Sequence, residues 1–213
     1  SVSFIDDYKL ETVLLPNTIT VIGNDAFDSC SRLVNITIPE SVTEIGDWAF
    51  YECKSLEKII IPDSVTTMGT HSFAECENLT TVNISNSITL IPDCAFYNCT
   101  SLTDVVIPDS VTDLVGAAFS DCKSLKSITV PGSISILSDT TFARCTSLES
   151  VVLEEGVCEI GYGTFSSCSA LKEVVIPDSI KKIDERAFAD CSSIREIVIP
   201  DSIETVEKEA FYG

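Results

Sequence analysis

The chain has 213 residues, 45% of them hydrophobic, which is enough to bury a sizeable core and excludes a disordered chain. Its 33 acidic against 13 basic residues give a net charge of -20, which repels nucleic acid phosphates and anionic lipid headgroups. No apolar run approaches the ~20 residues of a membrane helix, and Ser1-Val2-Ser3-Phe4 carries neither a basic start nor an apolar signal core.

All ten phenylalanines, from Phe4 and Phe27 to Phe188 and Phe211, recur every 23 residues without insertion or deletion. Eight of the ten cysteines follow a phenylalanine by three places: Cys30, Cys53, Cys76, Cys99, Cys122, Cys145, Cys168 and Cys191. A fixed period of this length marks a solenoid, in which each repeat is one turn and rests on its neighbours. Residues 1–213 therefore read as one continuous array of about nine 23-residue repeats, incomplete at both ends.

Within one repeat, for example LEKIIIPDSVTTMGTHSFAEC (Leu56 to Cys76), a leucine precedes a β-branched triplet such as Ile59-Ile60-Ile61, whose outer members face the core. Such alternation predicts a short half-buried strand. Seven of the eight prolines follow the triplet (Pro16, Pro39, Pro62, Pro108, Pro131, Pro177, Pro200) and close the strand. The Asp-Ser after them is expected to bond to local backbone in a turn. A second apolar pair, such as Val65 and Met68, leads to a frequent glycine (Gly23, Gly46, Gly69, Gly161) at an expected bend. The closing Ala-Phe-x-x-Cys sets Phe and Cys on one side of a helical turn, which predicts a short α or 3-10 piece on the outer wall. Stacked turns give nine parallel strands about 4.8 Å apart.

The pattern in Leu33 to Cys53, LVNITIPESVTEIGDWAFYEC, resembles the BspA-type leucine-rich repeat, and the resemblance covers essentially the whole chain. It implies an α/β fold, a right-handed leucine-rich-repeat solenoid with a parallel β-sheet on the concave face and short strands, turns and α or 3-10 pieces on the outer wall. It also implies a surface or secreted protein of host-associated bacteria or parasitic protists. Adhesion to host matrix proteins such as fibronectin and fibrinogen, and coaggregation, belong to the same expectation. The chain departs from the pattern where Ser85-Asn86 lacks a proline, where Glu154-Glu155-Gly156 lacks both proline and serine, and where Pro92 and Val115 replace glycine.

Even spacing stacks the ladder cysteines one strand apart, wider than the ~3.5–4.5 Å between Cβ atoms in a disulfide. They read as small buried hydrophobes. Cys94 and Cys158 stand outside the ladder; part-buried wall positions are favoured for both, with exposure and oxidation as the alternative. No Cys-x₂-Cys pair occurs and His71 is the sole histidine, so no metal site and no catalytic triad is expected. The nine glycines are scattered and form no phosphate loop. No enzyme activity and no cofactor are expected.

The acidic corners Glu40, Asp63, Asp109, Glu155, Asp178 and Asp201 raise calcium as a ligand. The nonapeptide of dedicated calcium turns is missing, and a solvated acidic edge is favoured instead.

The middle residue of each strand faces away from the core: Leu14, Thr37, Ile60, Asn83, Val106, Thr129, Val152, Val175 and Val198. Two places earlier runs a polar row that includes Lys58, Asp104, Glu173 and Glu196. This apolar stripe beside a polar row is the candidate protein-binding face, against the plain alternative that Val and Ile simply suit strands. Two functions follow: a noncatalytic, adhesin-type binding module engaging protein partners through its concave or lateral face, or a structural spacer with no ligand of its own. Sequons begin at Asn35, Asn78, Asn83 and Asn98, and in a eukaryotic source glycans at Asn35 and Asn83 would crowd this face.

Overall fold

A computed structural model describes residues 4–213; Ser1–Ser3, which open the array in the sequence, lie outside the described residues. Each repeat contributes two short strands separated by the proline corner. The first set runs Thr12–Leu14, Asn35–Thr37, Lys58–Ile60, Thr81–Asn83, Asp104–Val105, Ser127–Val130, Ser150–Leu153 and Glu173–Val175 and forms a front wall. The second set consists of two-residue strands, from Val21–Ile22 and Glu44–Ile45 to Lys182–Ile183 and Thr205–Val206.

Every pairing is parallel and joins residues one period apart, as in Thr12 with Asn35, Lys58 with Thr81 and Ile160 with Ile183. A one-residue slip would turn every Ile and Val of a coil outward, so the alternation itself pins this register. The in-register stack predicted by the period is what forms.

Inside, the phenylalanines build one column. Neighbouring rings from Phe4 to Phe211 lie 5.0–5.6 Å apart, with interplanar angles of 13° or less. Leu33, Leu56, Leu79, Leu102, Leu125, Leu148 and Leu171 fill the next column, and the eight ladder cysteines are buried beside them. The core is thus a continuous seam and not a separate nucleus in each repeat.

Three expectations are corrected. The Ala-Phe-x-x-Cys segment is not a short α or 3-10 piece: among the described residues there is no helix. Its donors alternate between two directions. Ala26, Asp28 and Cys30 bond back to the carbonyls of Gly23, Asp25 and Phe27, while Asp25, Phe27 and Ser29 donate to Asp47, Ala49 and Tyr51 of the next coil. A helix would consume all of these donors within its own coil. The alternation places left-handed residues on both sides of each phenylalanine from Phe27 to Phe211, among them Asp25 and Ser29, Trp48 and Glu52, and His71 and Glu75. Such a residue breaks a right-handed helical run. The outer wall is a stack of turns bonded coil to coil.

Second, the front wall is not one nine-stranded sheet. Its eight strands fall into sheets of two, three and three, unpaired between Asn35–Thr37 and Lys58–Ile60 and between Asp104–Val105 and Ser127–Val130. Glu196–Val198 holds the ninth position without forming a strand.

Third, four of the corner serines bond across coils and not locally, while the hydroxyls of Ser41 and Ser64 meet no partner. Ser110, Ser133 and Ser179 donate to the carbonyls of Ile88, Val111 and Val157 in the preceding coil, at 2.6–2.8 Å. In-register stacking brings those carbonyls within reach, and the corner becomes a clamp between coils.

Candidate binding face

The front strands set their outer residues core-ward and their middle residues outward, because consecutive side chains leave a strand on opposite sides. All nine middle residues, Leu14, Thr37, Ile60, Asn83, Val106, Thr129, Val152, Val175 and Val198, are exposed. Leu14 is 90% exposed, Val106 73% and Val198 72%, so these aliphatic groups are mostly uncovered by the rest of the chain. Lys58, Asp104, Glu173 and Glu196 are exposed beside them. The repeat thus brings the thirteen residues onto one wall, although the splits in the front sheet divide that wall into blocks.

Carboxylates border the stripe on its corner side. Some have structural work: Asp63 accepts the main-chain N–H of Asn86 at 2.8 Å, and Glu155 that of Asp178 at 3.1 Å. At these two corners the carboxylate meets a main-chain donor of the next coil. Among the described residues, no three His, Cys, Asp or Glu side chains gather as a metal site would require.

The ladder thiols are free. Each donates to the phenylalanine carbonyl of the preceding coil, from Cys30 to Phe4 at 3.1 Å to Cys191 to Phe165 at 3.1 Å. Burial pushes their ionisation upward: Cys30 to about 11 and Cys191 to about 12.

The two outlying cysteines differ. Cys94 is half-buried in the left-handed position before Phe96; burial and the neighbouring Asp93 carboxylate push it up to about 11. Cys158 is exposed, which corrects the part-buried position favoured from sequence. It replaces the threonine of earlier coils, whose hydroxyls at Thr43, Thr66 and Thr112 bond to the carbonyl one coil back.

His71 stands in the outer-wall column directly after Trp48, and the two rings stack at 4.0 Å. No acid–base partner meets its Nδ1. Of the sequon asparagines, Asn35, Asn78 and Asn83 are exposed, Asn35 and Asn83 on the front wall.

One column escaped the sequence reasoning. Asn24, Asp47 and Asp139 accept the main-chain N–H of Asp47, Thr70 and Tyr162, at 2.8–3.0 Å. Its signal was the recurrence of Asn or Asp three places before phenylalanine, at Asn24, Asp47, Asp93 and Asp139, interrupted by Thr70, Gly116 and Tyr162 and ending before Glu185 and Lys208.

The stack of 23-residue turns agrees with the family comparison. The model of the BspA type leucine rich repeat region, present in six copies, matches residues 1–126 and 89–213. The chain belongs to the BspA-type leucine-rich repeat family. Among solved structures it is similar to a leucine rich cell surface protein of Faecalibacterium prausnitzii, with 30% identity and a TM-score of 0.63 over 99% of this chain and 66% of that one. A leucine rich repeat protein of T. pallidum shares 28% identity, with a TM-score of 0.68 over 90% of this chain and 83% of that one. The pneumococcal vaccine antigen PcpA, at 21% identity and a TM-score of 0.58, covers 98% of this chain and 62% of its own, and shows the fold alone. This BspA-type array thus spans about two thirds of the length of the F. prausnitzii protein. No curated protein matches the chain.

Proposed function

We propose that this BspA-type array is a noncatalytic protein-binding module of the adhesin type, displayed at a cell surface or secreted, and that its front wall takes the partner. One observation carries the reading. Six of the nine outward residues of the front wall are aliphatic, aligned in one stripe by the 23-residue register, and exposed, from Val152 at 38% to Leu14 at 90%. Scattered apolar residues are normal on any surface, whereas an aligned stripe rimmed by polar groups marks an interaction site. The cell-surface designation of the F. prausnitzii relative supports the location. Host matrix proteins are the partner class, following the family resemblance, and no cofactor or calcium ion is assigned.

The experiment is capture of the array on immobilised fibronectin and fibrinogen, with Val175→Glu as the variant. Val175 is 54% exposed, so the change leaves the melt within about 0.5 kcal/mol of the parent. A buried charge at a contact centre should abolish capture. Capture by the variant equal to that by the parent would refute the front wall as the binding surface.

A further inference from the structure

The longest unbroken aliphatic run of the front wall is Val152, Val175 and Val198, one per coil, at 38%, 54% and 72% exposure. Ser150–Leu153 pairs with Glu173–Val175 so that Val152 stands directly beside Val175, and Val198 continues the row one period on. At the spacing of parallel strands the three valines span about 10 Å.

Carboxylates accompany this row on both sides. Glu173 and Glu196 stand two places before Val175 and Val198, and Asp178 and Asp201 three places after them, past the proline corner. All four are exposed, and none takes part in an ion pair among the described residues. They do not converge on a point, as a site for one ion would require; they follow the row, as the flanks of an elongated ligand require.

The spacing selects the shape of the occupant. A helix laid along the row presents one side chain per turn, about 5.4 Å apart, and over two turns departs from the coil spacing by only about 1 Å. An extended segment in the same place sets its same-side residues about 6.6 Å apart, so the second falls between coils. We infer that the row from Val152 to Val198 receives one amphipathic α-helix of the protein partner, with an apolar ridge on the valines and lysine or arginine on both flanks. The ridge removes aliphatic surface from water, while the long cationic side chains lie over the valine edges and carry their charge to the carboxylates. With 33 acidic against 13 basic residues, the chain repels an acidic helix before contact. This inference rests on the front-wall reading and names the partner chemistry that wall selects.

The test uses the whole chain, isotope-labelled at its methyl groups, and three synthetic peptides of about five helical turns. The first carries leucine at helical spacing with lysine on both sides of the ridge. The second has the same composition with leucine at every second place, and the third keeps the helical pattern with glutamate instead of lysine. The first alone should shift the methyl resonances of Val152, Val175 and Val198 and gain helix signal in circular dichroism on binding, more weakly as salt is raised. The variants Glu173→Gln/Glu196→Gln and Asp178→Asn/Asp201→Asn should each lose about threefold to tenfold in affinity, with an unchanged melt because all four side chains are exposed. Equal binding of the second or third peptide, equal binding by either double variant, or shifts confined to other residues would overturn the inference. Shifts of the three valines on dilution of the chain alone would overturn it too, by assigning the row to a second copy. If Val175→Glu captures fibronectin and fibrinogen as the parent does while the first peptide behaves as expected, the front wall is lost as the matrix-binding surface and the helix-binding row stands. If that variant loses capture and the first peptide shifts none of the three valines, the helix falls alone.

Discussion

The thiol of Cys145 donates to the main-chain carbonyl of Phe119, 3.2 Å away in the preceding coil. That carbonyl already accepts the N–H of Cys122, so the thiol occupies its second lone pair. This explains why cysteine and not alanine recurs at the position: it fills volume, and its weak donor meets a buried acceptor. Cys145→Ala removes both and should cost about 1–2 kcal/mol in urea unfolding. A loss below about 0.5 kcal/mol would mean that the column holds cysteine for volume a methyl group can replace.

The same column makes stability fall in alkali. In the unfolded chain a thiol ionises near its ordinary value, about 9, whereas the folded Cys30 and Cys191 hold their protons to about 11 and about 12. The folded state binds more protons between those values. Stability from the thiols is therefore complete below about pH 9 and is lost as pH rises through the folded values. The melting temperature should decline above pH 9, and Cys30→Ala/Cys191→Ala should flatten the slope. A slope identical in parent and variant would assign the decline to other groups.

Thiol labelling under native conditions should distinguish three classes. Cys158 is exposed and reacts first; Cys94, half-buried and raised to about 11, follows slowly because little of it is thiolate near neutrality. The eight ladder thiols react only on unfolding. Rapid labelling of more than one cysteine, read by mass spectrometry, would contradict the buried column.

The part of this fold legible in the sequence is the part that repeats through chemistry. Phenylalanine, cysteine, leucine and the β-branched triplet declare burial by type, and the 23-residue step declares their stacking. The left-handed residues were illegible for the opposite reason: Trp48, His71, Thr140 and Arg186 occupy one backbone state with no common side chain, and only Gly163 among them advertises it. Phe and Cys three apart are placed equally well by a helical turn and by consecutive β-turns, so periodicity alone favoured the wrong one. The splits in the front sheet left no trace either, since Asp104–Val105 and Ser127–Val130 read as strands like the rest. The stripe from Leu14 to Val198 was readable because strand alternation is strict.

Glycine has a specific task at one corner. Gly132 and Gly156 are stacked one coil apart so closely that a Cβ on Gly156 would run into the carbonyl of Gly132, and Gly156 also has a φ of 115°. Gly156→Ala should therefore cost about 2–3 kcal/mol, combining backbone strain with displacement of the neighbouring corner. Gly163 has a φ of 56° with no atom within 3.4 Å of an added Cβ, so Gly163→Ala pays only for conformation, about 1 kcal/mol. Equal losses in thermal unfolding would show that the close approach at the corner relaxes freely.

The phenylalanine column gives the largest single-site effect, and a gradient along it. Phe119 is fully buried, with rings at 5.3 Å and 5.6 Å on either side. Phe119→Ala leaves a void that neighbouring coils, held by ladders on two walls, cannot close, and should cost about 3–5 kcal/mol. Phe211 is 38% exposed and stacks on Phe188 alone, so Phe211→Ala should cost below about 2 kcal/mol. Because each coil rests only on its neighbours, a central void also weakens the coupling between the two halves of the array. Phe119→Ala should then broaden the urea transition or split it in two, whereas Phe211→Ala shifts it without broadening. Equal shifts from the two variants would mean that the rings contribute alike at the open end and in the middle, and the column would not be the seam that joins the coils.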